Sequence, residues 1–85
     1  METPRILVVD DDATAAARVV DALREDAYEI ELANGGVDAI GRVKGRTPDL
    51  ILLDVVMPEV NGIEVCRFVK SLGDSVFVPV ILVSS

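Results

Sequence analysis

The chain has 85 residues, room for one domain of the smallest sort, which buries only about 60–65% of the surface its unfolded form exposes. A hydrophobic content of 51% is that of a globular chain with a core to fill, not of a disordered one. Eight basic against fifteen acidic residues leave a charge of −7, which argues against direct contact with nucleic acid, and the lack of histidine excludes imidazole-ligated zinc and Ser-His or Cys-His nucleophiles.

Arg5 to Val9 reads as a strand, a short apolar run that stops in three acids, Asp10, Asp11 and Asp12. Asp12 or Asp11 can cap the helix that follows, because a carboxylate accepts the free N–H groups of a first helical turn. From Ala13 to about Asp26 the apolar positions Ala16, Val19, Val20, Leu23 and Ala27 fall on one face of a 3.6-residue period. Tyr28 to Leu32 alternates with period two and suits a half-exposed strand at a sheet edge. Asn34-Gly35-Gly36 is a turn that lacks the spacing of a phosphate-binding glycine loop. Val37 to about Lys44 follows as a helix, with Gly45 as its expected stop.

Thr47-Pro48 breaks the chain before a third strand, Asp49 to Asp54, again an apolar run ending in an acid. Asn61-Gly62 opens a helix to about Leu72, with Val65, Cys66, Val69 and Leu72 inward. Val78 to Val83 is a fourth strand, apolar on both faces, whose Pro79 belongs at the strand's start or beside a bulge because it cannot donate to the ladder. Alternating strands and helices with nearly continuous apolar strands predict an α/β fold, a parallel sheet with helices on both faces and right-handed crossovers. Ligands of such sheets bind beyond the carboxyl ends of the strands, where chain order reverses.

If the first and third strands are neighbours, Asp10, Asp11 and Asp54 meet at one edge. Two carboxylates about 4 Å apart repel by roughly 4 kcal/mol at an effective dielectric near 20. Such a cluster keeps a proton on one member or holds a cation, and an oxygen-only donor set favours a hard ion such as Mg²⁺. A bound divalent ion can neutralise the oxygens of a phosphoryl group, and a carboxylate beside it can attack phosphorus. Met57 reads as packing. Cys66 reads as a buried structural thiol in a reducing compartment. Neither the N-terminus, Met1-Glu2-Thr3-Pro4-Arg5, nor the longest apolar run, Val76 to Val83, resembles a secretory signal or a membrane span, so the expected location is cytoplasmic, with no membrane partner.

Val8-Val9-Asp10-Asp11-Asp12, then Leu52-Leu53-Asp54-Val55-Val56-Met57-Pro58 with Gly62 following, then Pro79 to Ser85, together resemble the receiver domain of two-component response regulators over the whole chain. The resemblance implies a flavodoxin-like receiver fold of strand order 2-1-3-4, present as a single incomplete domain over residues 1–85 that lacks the family's last helix, strand and helix. It implies that Asp54 is the phosphoacceptor for a histidine kinase or phosphotransfer protein. It also implies that Asp10 and Asp11 hold Mg²⁺ directly or through water, that the Val56 carbonyl is a further ligand, and that the Ser84 hydroxyl hydrogen-bonds the phosphoryl group. It implies, finally, that the chain modifies itself and is not a turnover enzyme. The sequence departs from the family in lacking the lysine that ends its fifth strand; Lys44 and Lys70 occupy other family positions.

Two rival readings remain. One is a receiver-like interaction module that takes no phosphate. The other is a phosphatase resembling the haloacid dehalogenases, since Asp10-Asp11-Asp12-Ala13-Thr14 fits D-x-D-x-T with Asp10 as nucleophile. An uncovered apolar fourth strand further predicts a fragment that self-associates through that strand or binds a complementary piece.

Overall fold

The computed structural model describes residues 3–23, 27–54, 62–72 and 78–83. Its elements are β1 (Arg5–Val9), α1 (Ala13–Leu23), β2 (Glu29–Ala33), α2 (Gly36–Gly45), β3 (Leu50–Asp54), α3 (Gly62–Lys70) and β4 (Val80–Val83). The four strands form one parallel sheet in the order β2-β1-β3-β4. Half-exposed β2 is at an edge, as its alternation predicts, and apolar β1 is central.

Strand order decides which face each helix covers. The chain moves from β1 to β2 in one direction, then crosses back over β1 to β3 and on to β4. With right-handed crossovers the reversal puts α1 on one face and α2 with α3 on the other. The main core agrees. Leu7, Val9, Ile51 and Leu53, alternate residues of β1 and β3, are buried together with Ala39 and Val43 of α2 and Val65 and Val69 of α3. On the α1 face, Ile6 and Val8 are buried, but α1 itself buries only Ala16 fully, and Val19, Val20 and Leu23 are half-buried.

Several ends differ from the sequence-based expectation. β4 starts at Val80, not Val78: Pro79 has no N–H to give, and its carbonyl instead accepts from the Ile51 N–H at 3.0 Å. The placement of Pro79 at the strand's start holds. Gly45 does not stop α2 but is its last residue; Arg46 leaves in an extended conformation while its N–H still reaches the Arg42 carbonyl at 2.9 Å. β2 runs one residue later than expected because Ala33 is the partner of Val9 in register. α1 ends at Leu23, and exposed Ala27 lies outside it.

The amino end of the sheet is fastened by Arg5, only 6% exposed. Its Nη2 donates to Glu31 Oε2 at 2.8 Å and its Nη1 to the carbonyls of Arg46 and Thr47 at 3.3 and 3.4 Å. Asp49, expected as the first residue of β3, instead closes the joint: its Oδ2 accepts from the Arg5 backbone N–H at 2.8 Å, and its own N–H donates to the Arg5 carbonyl at 2.9 Å. A buried guanidinium that loses such partners, or partners that lose it, costs far more than an exposed pair. Arg5→Ala is therefore expected to lower the unfolding free energy by about 2–3 kcal/mol. Arg46→Ala, whose side chain is exposed and 3.7 Å from Glu29, should stay within about 0.5 kcal/mol of the parent. Urea denaturation of the two variants checks this, and equal losses would reduce Arg5 to an ordinary surface charge.

Candidate metal centre

Val9 of β1 and Leu53 of β3 are partners in the parallel ladder, so the residues that follow them, Asp10 and Asp54, emerge side by side at the carboxyl end of the sheet. Asp10 is hung from its other neighbour by a hydrogen bond from its N–H to the Ala33 carbonyl at 3.1 Å. Asp11 projects from the next position and is exposed. One carboxylate oxygen from each of Asp10, Asp11 and Asp54 lies within 4.8 Å of the others.

Asp12 has a different task. Its Oδ1 accepts from the N–H groups of Thr14 at 2.9 Å and Ala15 at 3.3 Å, and its carbonyl accepts from Ala16 at 2.9 Å, so Asp12, not Asp11, caps α1. The Asp12 N–H in turn donates to Asp10 Oδ1 at 2.9 Å and fixes that carboxylate's orientation. This also tells against the phosphatase reading, since the second acid of its D-x-D-x-T motif is occupied in capping.

The Asp10 carboxyl titrates above its ordinary value. Burial is the largest cause; the Asp12 N–H opposes it, and the charge of Asp54, a hydrogen bond with the Asp54 side chain and the charge of Asp11 add to it. At 4.8 Å, each ionised pair repels by about 1–3 kcal/mol for effective dielectrics between bulk water and 20. Three carboxylates, no nitrogen or sulfur donor, and one open side make a set suited to a hard divalent cation that retains some of its water.

Of the five predicted site residues, Asp10, Asp11 and Asp54 are brought together, while Val56 and Ser84 lie outside the described residues. Lys44 does not approach the cluster; its Nζ sits 5.6 Å from the centre of the Phe68 ring, joining α2 to α3. Sequence reasoning missed Asn34, Asp38 and Arg42, which share with Asp10 and Asp11 the walls of a cleft of ≈ 320 Å³ floored by Ala16, Ala17 and Leu32. The available signal was the Asp38/Arg42 spacing of four, which brings an acid and a base together on a helix.

Comparison with known proteins places these features in context. The response regulator receiver domain family matches residues 6–85. Response regulator MprA of Mycobacterium sp. (strain KMS) is 44% identical over 70 residues, covering 82% of this chain and 30% of that protein; MprA of Mycobacterium leprae (strain TN) is 46% identical over 70 residues, covering 82% and 31%. The chain thus spans about a third of the length of these curated relatives. Among solved structures, response regulator protein TrrA from Thermotoga maritima, in complex with Mg²⁺-BeF, superposes with a TM-score of 0.88 at 32% identity, covering 96% of this chain and 70% of that one. Chemotaxis protein CheY4 of Vibrio cholerae gives 0.86 at 28% identity, covering 95% and 68%.

Mutual repulsion at the cluster has a measurable consequence. Asp10 binds its proton more tightly folded than unfolded, so folding of the metal-free chain is opposed most above the raised pKa, and the opposition fades as pH falls toward 3.8. Asp10→Asn is expected to raise the unfolding free energy in EDTA at pH 7 by about 1 kcal/mol, the lower end of the range because the cluster is half open to water. That advantage should shrink at pH 4, and added Mg²⁺ should stabilise the parent but not the variant. Urea titrations at the two pH values test it; a variant less stable at pH 7 would contradict the repulsion.

Proposed function

The chain belongs to the response regulator receiver domain family, and on that footing we propose that residues 1–85 act as one receiver unit whose Asp54 accepts a phosphoryl group from a histidine kinase or phosphotransfer protein in a Mg²⁺-dependent step. The observation that carries this reading is the convergence of Asp10, Asp11 and Asp54 within 4.8 Å at the carboxyl end of the sheet. The Mg²⁺-BeF complex of TrrA, a relative at 32% identity, supports the same ligand chemistry.

In this reading Asp10 and Asp11 hold the cation directly or through water, with the Val56 carbonyl as a further ligand. Bound Mg²⁺ supplies positive charge against the phosphoryl oxygens. Asp54 attacks phosphorus through a carboxylate oxygen, a P–O bond forms as the P–N bond to the donor imidazole breaks, and the electron pair of that bond leaves with the imidazole. The Ser84 hydroxyl donates to a phosphoryl oxygen. The hydrogen bond from the Asp12 N–H occupies a lone pair of Asp10 Oδ1 and directs that carboxylate toward holding the cation. The product stays on the chain, so the protein is consumed as an acceptor and is not a turnover enzyme. Intact-mass measurement after acetyl phosphate treatment should show one phosphoryl group gained with Mg²⁺, little without it, and none in Asp54→Asn. Label that survives Asp54→Asn would remove Asp54 from the role, and no label on the parent would leave a module that takes no phosphate.

A further inference from the structure

We propose that Arg42 and Asp38 of α2 are positioning residues for the cation site, acting through the turn between β2 and α2. A continuous set of charged contacts runs along this side of the sheet. Arg5 Nη2 donates to Glu31 Oε2 at 2.8 Å, and Arg42 Nη1 donates to Glu31 Oε1 at 3.2 Å. Arg42 Nε donates to Asp38 Oδ1 at 3.0 Å, and Asp38 Oδ2 accepts from the backbone N–H of Asn34 at 3.1 Å. The last of these contacts fixes the first residue after β2. The residue before it, Ala33, is the one whose carbonyl receives the Asp10 N–H. The main chain of Asp10 is therefore held by a turn that Asp38 pins, and Asp38 is oriented by Arg42, whose own guanidinium is braced by Glu31.

Arg42 cannot be a ligand for a cation, yet it shares a cleft of ≈ 320 Å³ with Asp10 and Asp11. That makes its two possible influences opposite in sign. As a positive charge near the carboxylates it lowers cation affinity, so its removal would tighten Mg²⁺. As the fork that orients Asp38 it keeps Asp10 in place, so its removal would loosen Mg²⁺. Lysine retains the charge but not the planar fork that reaches Asp38 through Nε and Glu31 through Nη1 at once. Groups that orient metal ligands directly alter affinity by about 10- to 100-fold; Arg42 stands further back, so a smaller effect is expected.

This inference rests on the cation reading of the acidic cluster, and the test separates the two. Mg²⁺ is titrated calorimetrically at pH 7 into the parent, Arg42→Gln and Arg42→Lys, each first shown to be folded by circular dichroism and urea denaturation. The expected result is a dissociation constant raised about three- to tenfold in Arg42→Gln, with Arg42→Lys between it and the parent. Should Arg42→Gln not fold, Arg42→Lys alone decides, since a pure charge effect leaves it equal to the parent. Equal or tighter binding by the variants, with the parent binding normally, overturns the positioning role and leaves the cation site standing. A parent that binds no Mg²⁺ overturns both.

Discussion

Carboxylates are forced together here by the register of two parallel strands. Because Val9 is opposite Leu53, each strand delivers its terminal acid to the same height at the same end of the sheet. The register is not free to relieve the crowding. A one-residue slip of β3 would turn Ile51 and Leu53, both completely buried among α2 and α3, out of the core and onto the other face. Hydrophobic packing thus sets the position of the acids, and their repulsion remains as a standing cost that a bound cation would offset.

The same strand is anchored oppositely at its two ends. At its start Arg5 is a buried cation surrounded by carbonyls and carboxylates; at its finish Asp10 is a half-buried anion surrounded by other anions. The first arrangement is largely met by folding alone, with Arg5 Nε left at ion-pair distance, 3.9 Å, from Glu29 Oε1 and without a hydrogen bond of its own. The second is not, and its main-chain support comes from β2 and α1: the Ala33 carbonyl takes the Asp10 N–H, and the Asp12 N–H takes one carboxylate oxygen.

Alternating strands and helices were sufficient to predict a parallel sheet, but the order 2-1-3-4 was implied only by the family resemblance, and the meeting of Asp10, Asp11 and Asp54 depended on β1 and β3 being neighbours, which the pairing of Val9 with Leu53 supplies. The choice between Asp11 and Asp12 as cap was not legible: both are one carboxylate from the helix start, and backbone dihedrals decide which can reach the Thr14 N–H. The start of β4 turned on the missing N–H of Pro79. The end of α2 depended on Arg46 remaining bonded to Arg42 after the helical path had ended, which glycine counting cannot show. The Asp38–Arg42 pair could be read from its spacing of four, but its link to the site could not. On paper it is one more acid and base on a helix surface, and only the turn of β2 into α2 brings its acid to the Asn34 N–H.

Charge balance ties the site to its chemistry. On the proposed reading, a phosphoryl group arriving at Asp54 would meet a chain of −7 and two further carboxylates within 4.8 Å. Arg42 is the cation that lines the neighbouring cleft, but Asp38 and Glu31 already claim its guanidinium, and diverting it would release the turn that supports Asp10. Lys44 is held over Phe68 on the far side of α2. On the proposed reading, then, neither Arg42 nor Lys44 is free to supply the positive charge that phosphoryl transfer would require. A divalent ion bound where the carboxylates are most crowded would meet that requirement, so that one charge would answer both the repulsion left by folding and the repulsion brought by the incoming group.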